Sequence, residues 1–156
     1  MHSRLIAVGD RQPSWVDTAF DDYVARLPRQ WQFRLEIIAT AKRQKSAPVE
    51  VAIQSESDKI LRKIKPAEHV VVLDEGGKQF SSKQIAEKLD AWQTVGEDLV
   101  FVIGGPDGIS KELLARANTC WCLSKLTLPH GLVRVLFAEQ IYRAWSLLAG
   151  HPYHRE

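Results

Sequence analysis

The stretch LVFVIGGPDGIS, residues 99–110, predicts a buried parallel strand, a glycine-rich turn and the start of a helix. Its first five residues are all apolar, as in a strand that is covered on both faces. Gly104, Gly105 and Gly108 suit a tight turn and equally suit a main chain that passes close to a ligand. Ser110 is a residue type that caps helix N-termini. This strand–turn–helix unit is typical of α/β proteins.

The same alternation continues on both sides of that stretch. Strands are predicted at residues 4–8, 33–38, 70–73, 99–103 and 121–123, and helices at 14–27, 49–65, after Ser81, after Ser110 and at 132–149. Residues 74–77 are predicted to turn the chain away from the third strand. The order predicts a single α/β domain, residues 1–156, with a mainly parallel sheet and helices on both faces. Such sheets bind ligands beyond the carboxyl ends of their strands. A ligand site is therefore expected at the loops after Leu73, Ile103 and Leu123.

Composition indicates a soluble protein, with 45% hydrophobic and 26% charged residues. No apolar run is long enough to span a membrane, and the apolar stretch near the N-terminus is too short for a signal peptide. We therefore expect a cytoplasmic location and no membrane partner.

Basic residues are concentrated in one part of an otherwise balanced chain. The formal net charge is +2, but residues 26–45 carry one acid, Glu36, against Arg26, Arg29, Arg34, Lys42, Arg43 and Lys45. Such an excess could attract phosphates. The alternative is a solvated surface around a loop.

Several familiar catalytic motifs are missing from the sequence. The first strand is followed by GDRQP rather than G-x-G-x-x-G, and the chain has no P-loop, no H-E-x-x-H and no G-x-S-x-G. Ordinary dinucleotide, metal and nucleophilic hydrolase sites therefore have little support, and we expect no bound metal.

Two further segments carry candidate binding groups. In LSKLTLPH, residues 123–130, Leu126 and Leu128 could wall an apolar pocket while Ser124 and Thr127 supply polar contacts, or the segment could pack as a hydrophobic connection under the last helix. In the last helix, the spacing of Glu139 and Arg143 suits an intrahelical ion pair. The tail adds side chains that can stack on a base, hold a phosphate or move a proton: His151, Tyr153, His154 and Arg155.

Taken together, these segments resemble the SPOUT-class ribosomal large-subunit RNA methyltransferase H family. The resemblance covers the whole chain and is carried by LIAVGD, VVVLDEGGKQFSS, FVIGGPDGIS and LSKLTLPHGLVRVLFAEQIYRAWSLLAGHPYHRE. It implies an α/β fold whose C-terminal segment threads a trefoil knot, and a homodimer. It also implies methyl transfer from S-adenosylmethionine to N3 of a pseudouridine in large-subunit rRNA on assembled ribosomes.

The resemblance also assigns candidate residues. It implies that the cofactor contacts are Leu73, Gly104, Leu123, Ser124, Lys125, Leu126, Thr127 and Leu128. The N3 proton must leave, so we expect His154 to act as the base and Arg155 or Arg143 to supply a positive group. In the dimer, one subunit could present the cofactor and the other the basic surface of residues 26–45.

Three alternatives remain open from the sequence. The first is a SPOUT methyltransferase that acts on another RNA, such as tRNA. The second is a non-catalytic ribosome-binding factor. The third is a flavodoxin-like or nucleotide-binding α/β protein, because the architecture does not fix the function.

Overall fold

The computed structural model describes residues 1–9 and 12–155, the last two of them by their main chain alone. Strands and helices alternate along the chain, and 3-10 turns lie at Arg29–Trp31 and Pro152–Arg155. The strands are β1 (Ser3–Val8), β2 (Arg34–Ile38), β3 (His69–Gln79), β4 (Leu99–Ile103) and β5 (Thr119–Cys122). The helices are α1 (Ser14–Val24), α2 (Val49–Lys63), α3 (Ser82–Val95), α4 (Lys111–Arg116) and α5 (His130–Ala149).

All five strands form one parallel sheet in the order β2-β1-β4-β3-β5. Ile103 at the end of β4 is paired with Ala7 of β1 on one side and with Leu73 of β3 on the other. The carboxyl ends of the three inner strands therefore meet at one edge of the sheet. The parallel α/β architecture predicted from the sequence is confirmed.

Helices cover both faces of the sheet because successive strand residues point to opposite sides. Leu5 and Ala7 of β1 belong to an apolar core that includes residues of α1, α3 and α5. Ile6 and Val8 belong to a second core, which Ile60 of α2 completes together with a residue of α4. Strands buried on both faces need continuous apolar sequence, which is the pattern that predicted them.

Helix ends follow the chemistry expected from the sequence. Ser81 Oγ accepts a hydrogen bond from the Gln84 amide at 3.1 Å, and Gln84 Oε1 accepts one from the Ser81 amide at 2.8 Å, which completes a capping box. Ser110 Oγ accepts from the Leu113 amide at 3.2 Å. Gly150 ends α5 in the left-handed region, at φ 68°.

The prediction for residues 74–77 was wrong, because β3 continues through them to Gln79. Leu73 and Lys78 both pair with Trp121 of β5, so the four intervening residues form a bulge and the pairing then resumes. A Cβ on Gly77 would lie only 2.7 Å from the Cys120 carbonyl carbon and oxygen. The bulge therefore packs on the β5 main chain instead of leaving the sheet.

Among residues 1–9 and 12–155, no helix is long and apolar enough to cross a membrane.

Candidate functional site

A cleft of about 710 Å³ opens at the carboxyl ends of β3 and β4. Its walls are the bulge of β3, the loop between β4 and α4, and the start of α5. The lining residues are Leu73, Asp74, Glu75, Gly76, Ile103, Gly104, Gly105, Pro106, Asp107, Gly108, Ile109, Leu128, His130 and Val133. This is the edge at which parallel sheets bind ligands, and the volume is typical of a small-molecule site.

A smaller apolar pocket of about 100 Å³ adjoins the cleft. The two share Leu73, Asp74, Glu75, Leu128 and Val133. The pocket adds residues from β5 and the segment that follows it: Trp121, Cys122, Leu123, Ser124 and Leu126. An open cleft with an apolar annex can accept a ligand that has one flat apolar part and one polar part.

Six of the eight residues predicted to bind the cofactor line these two cavities. They are Leu73, Gly104, Leu123, Ser124, Leu126 and Leu128. Leu126 is 73% exposed, so its side chain stands at the rim. Lys125 and Thr127 are exposed and lie outside the lining, and their roles stay predictions.

The glycine-rich loop of residues 104–108 is shaped by close packing. A Cβ on Gly104 would lie 2.4 Å from Ile109 Cγ2, and one on Gly105 would lie 2.6 Å from Glu56 Oε1. Gly108 has φ +93° and donates its amide to the Gly105 carbonyl at 3.2 Å. The tight turn is therefore confirmed, and because the loop also borders the cleft, its contact with a ligand stays a prediction.

A buried carboxylate that the sequence analysis did not single out supports this loop. Glu56 of α2 is 1% exposed, and its carboxylate accepts hydrogen bonds from the Ala41 amide at 2.9 Å and from the Arg43 guanidinium. Arg43 Nε also donates to Asp107 Oδ2 at 3.1 Å. The signal available in the sequence was an acid on the apolar stripe of a helix, since Glu56 lies four residues from both Ala52 and Ile60.

Acidic side chains dominate the charge of the cleft. Asp74, Glu75 and Asp107 line it, and Asp107 is paired with Arg43, so the unpaired acidic charge rests on Asp74 and Glu75; no lysine or arginine is among the lining residues that the structure describes. Burial, together with the nearby Asp74 carboxylate, raises the pKa of the Cys120 thiol. The cleft therefore favours a ligand that carries positive charge.

His130 and Arg134 form a linked pair at the start of α5. Arg134 is only 2% exposed, and its Nε donates to His130 Nε2 at 3.1 Å. Burial, and the positive charge of Arg134, lower the pKa of His130 to about 4. His130 is therefore neutral at physiological pH, and it both packs against Arg134 and lines the cleft.

We expect this pair to make stability depend on pH. Between pH 6.5 and about 4 the unfolded chain binds a proton on His130 that the folded chain does not, so the free energy of unfolding falls as the pH falls. His130→Asn removes the titrating group and should flatten the profile over this interval. Urea unfolding at a series of pH values measures both curves, and parallel curves would contradict the assignment.

The candidate catalytic groups lie along α5 and in the tail. Arg143 donates to Glu139 Oε1 from Nε at 2.8 Å, which confirms the predicted ion pair. The Tyr153 hydroxyl donates to the same oxygen at 3.0 Å, and Arg143 lies over the Tyr153 ring at 5.1 Å. Burial strongly raises the pKa of Tyr153. These contacts hold the tail against α5, while the side chains of His154 and Arg155 lie outside the described part of the chain.

Within one chain, the tail and the cleft are well separated. Tyr153 is anchored at Glu139, which is six residues along α5 from Val133, the α5 residue nearest to it that lines the cleft, or about 9 Å. Arg143 is one further turn away. Groups that react must approach to about 3–3.5 Å. The anchored Tyr153 of a single subunit therefore does not reach reacting distance of the cleft in this arrangement.

The basic excess of residues 26–45 is smaller than the sequence suggested. Arg26 pairs with Asp22, Arg34 with Glu36, and Arg43 with Glu56 and Asp107. Within the described chain, the members of the set that have no carboxylate partner are Arg29, Lys42 and Lys45, all of which are exposed. Asp22 lies just outside the counted stretch, and the partners of Arg43 are distant in sequence, so composition alone overstates the excess.

Comparison with known proteins identifies relatives of the same length. A family model described as "Predicted SPOUT methyltransferase" matches residues 1–154. A protein of Hahella chejuensis named "Ribosomal RNA large subunit methyltransferase H" is 48% identical over 157 residues, covering 100% of both chains. Proteins of the same name from Chromohalobacter salexigens and Thioalkalivibrio sulfidiphilus are 48% and 47% identical, covering 99% and 100% of this chain and 100% of each relative.

Proposed function

The chain belongs to the SPOUT methyltransferase family, and we propose that it methylates N3 of a pseudouridine in large-subunit ribosomal RNA. The proposed substrate is the assembled ribosome, and the proposed methyl donor is S-adenosylmethionine. The observation that carries the proposal is the cleft, into which six of the eight implied cofactor residues converge. Relatives that carry the rRNA methyltransferase name match this chain over its whole length, which supports the choice of substrate.

The residues of the cleft fit the cofactor in shape and charge. S-adenosylmethionine supplies, when bound, a methyl group already activated on a positively charged sulfur. Leu73, Leu123 and Leu128 would pack against its apolar part, and the open main chain at Gly104 would offer hydrogen bonds. The carboxylates of Asp74 and Glu75 would favour its positive charge. The protein's main task is to hold donor and acceptor in line, which is catalysis by proximity.

Removal of the N3 proton falls to the tail in this proposal. His154 accepts the proton as general base, and Arg155 or Arg143 stabilises the negative charge that develops on the carbonyl oxygens of the base. Because Arg143 is paired with Glu139, its charge is already partly compensated, which favours Arg155 for this role. The separation of tail and cleft along α5 means that the tail of one subunit would serve the cleft of another.

We therefore propose that the active form is a homodimer. α5 is apolar nearly all round, and its Leu148 is 41% exposed. Trp15 of α1 is 56% exposed. These side chains leave apolar surface for a partner. Light scattering at micromolar concentration should give twice the chain mass of 17.7 kDa. A monomeric mass would contradict both the dimer and the shared site.

We also propose that the C-terminal segment forms the trefoil knot of the family. β5 lies at one edge of the sheet beside β3, yet Arg134 of α5 donates to the Gly9 carbonyl, after β1, at 3.4 Å. The segment between β5 and α5 therefore crosses the carboxyl ends of β3 and β4, which supports the threading. A substrate on ribosomes further supports a cytoplasmic location.

The decisive assay supplies methyl-labelled S-adenosylmethionine and ribosomes from cells that lack this protein, and then maps the label in the RNA. We expect label at one pseudouridine of the large-subunit RNA. Label on tRNA or on another rRNA nucleotide would keep the chemistry and overturn the substrate. No label and no cofactor binding would favour a non-catalytic ribosome-binding factor. Leu128→Arg, which places a positive charge in the cleft, should abolish the label.

A further inference from the structure

The loop between β2 and α2 is fixed to the rim of the cleft by Arg43. The guanidinium donates to Asp107 in the glycine-rich loop, to the buried carboxylate of Glu56, and to the Ala41 carbonyl at 2.8 Å. Glu56 in turn accepts from the Ala41 amide. A planar donor fork with three partners holds the loop in one orientation, so the side chains beside Arg43 have a defined position relative to the cleft.

Two exposed lysines lie on either side of Arg43 and have no acidic partner among the described residues. Lys42 and Lys45 have no carboxylate within ion-pair distance among the residues that the structure describes, and Glu50 in the first turn of α2 pairs with neither. Arg43, by contrast, is neutralised by two carboxylates. The free positive charge of the loop is therefore concentrated on Lys42 and Lys45.

A hollow of about 400 Å³ lies between this loop and the first turns of α2. Lys42 and Gln44 contribute polar groups to it, and Pro48, Val49 and Val51 contribute an apolar wall. Val51 is 59% exposed. Exposed apolar side chains in a concave surface beside uncompensated cations indicate a contact surface, and the positive charge favours a polyanion.

We infer that residues 42–45 and this hollow form a docking surface for the RNA backbone beside the target nucleotide, where Lys42 and Lys45 bind phosphates and Arg43 acts as a positioning residue. The inference rests on the proposed function. Asp107, which Arg43 holds, lines the cleft, so an RNA strand that places a base in the cleft would lie beside this loop. Lysine acts as a point charge for phosphates, so the contact adds affinity and no sequence preference.

The test compares Lys42→Ala/Lys45→Ala with a matched control, Lys59→Ala/Lys65→Ala. The control removes the same charge from exposed positions at and beyond the other end of α2. For each variant we would measure the Kd for protein-free large-subunit rRNA across a salt series, the KM and kcat for unmethylated ribosomes, and the Kd for S-adenosylmethionine.

We expect the loop variant to raise the KM about tenfold and to reduce the slope of log Kd against log salt by about 1.4 to 1.8, as for two lost phosphate contacts. Its kcat and cofactor Kd should equal those of the wild type, and Lys42→Arg/Lys45→Arg should restore binding. If the loop and control variants have equal salt slopes while the wild type methylates ribosomes, the docking surface is overturned and the proposed function stands. A raised KM for ribosomes with an unchanged Kd for free rRNA would indicate a ribosomal protein partner and overturn it too. A wild type that methylates no RNA would overturn the proposed function.

Discussion

Gly77→Ala is expected to lower the free energy of unfolding by about 1–3 kcal/mol, the range for overpacking a tight site. The new Cβ would lie 2.7 Å from the carbonyl carbon and oxygen of Cys120 and 2.8 Å from the amide nitrogen of Trp121. These are main-chain atoms of β5, so no side-chain rotation relieves the contact. Relief requires β3 and β5 to separate where Leu73 and Lys78 both pair with Trp121. Urea unfolding measures the loss.

The neighbouring glycine provides the control for this prediction. A Cβ on Gly76 would meet only Asp74 Oδ2, at 3.1 Å, and that atom is the end of a side chain that can move aside at the cost of an exposed hydrogen bond from the Gly76 amide. Gly76→Ala should therefore change the stability much less than Gly77→Ala. Similar losses for both variants would show that the bulge tolerates separation from β5.

The same substitution should also weaken cofactor binding. Leu73 and Trp121 line the apolar annex of the cleft, and both take part in the pairing that Gly77→Ala disturbs. Equilibrium dialysis with labelled S-adenosylmethionine, below the unfolding transition, measures the effect. An unchanged Kd in a destabilised variant would indicate that the annex does not hold the cofactor.

Local sequence patterns were sufficient for most of the secondary structure. β4 was predicted with its observed bounds, because an apolar run ends at Gly104, and the helix starts after Ser81 and Ser110 follow from side-chain capping. The bulge of β3 was missed because Asp, Glu and two glycines are typical of turns. What keeps these residues in the sheet is pairing with β5, about 45 positions later, which no local pattern contains.

The site was predictable only in part, for a related reason. The candidate cofactor residues lie at or after strand ends, and parallel strands bring their carboxyl ends to one edge, so the residues after Leu73 and Ile103 were expected at the same edge of the sheet. The Arg43, Glu56 and Asp107 network joins three separate segments, and its geometry depends on how α2 packs on the sheet. In the sequence these are three scattered charges, which no local pattern pairs.

His154→Ala is expected to reduce the rate of methyl transfer by about 100- to 10,000-fold, the usual contribution of a general base. The Kd for S-adenosylmethionine should change little, because His154 is proposed to act on the N3 proton of the acceptor base and is not among the residues proposed to contact the cofactor. Single-turnover transfer to ribosomes measures the rate. The lost rate should return at higher pH, where the N3 proton leaves without a base. A variant with full transfer rate and RNA affinity would contradict the role of His154.

Mixing two inactive variants tests whether the tail serves another subunit. Leu128→Arg damages the cleft, and His154→Ala damages the tail. A dimer with one subunit of each kind has one intact pairing if the tail of one chain acts at the cleft of the other, because the Leu128→Arg subunit supplies its normal tail to the normal cleft of the His154→Ala subunit. Denaturing and refolding the two variants together should therefore restore about a quarter of the wild-type activity per subunit, since half of the dimers are mixed and each has one working site of two. Tyr153→Phe, which loses the hydrogen bond to Glu139, should lower the rate less than His154→Ala in the same assay. If light scattering shows dimers but the mixture regains no activity, each cleft uses the tail of its own chain. The contact between Tyr153 and Glu139 would then have to open before each transfer.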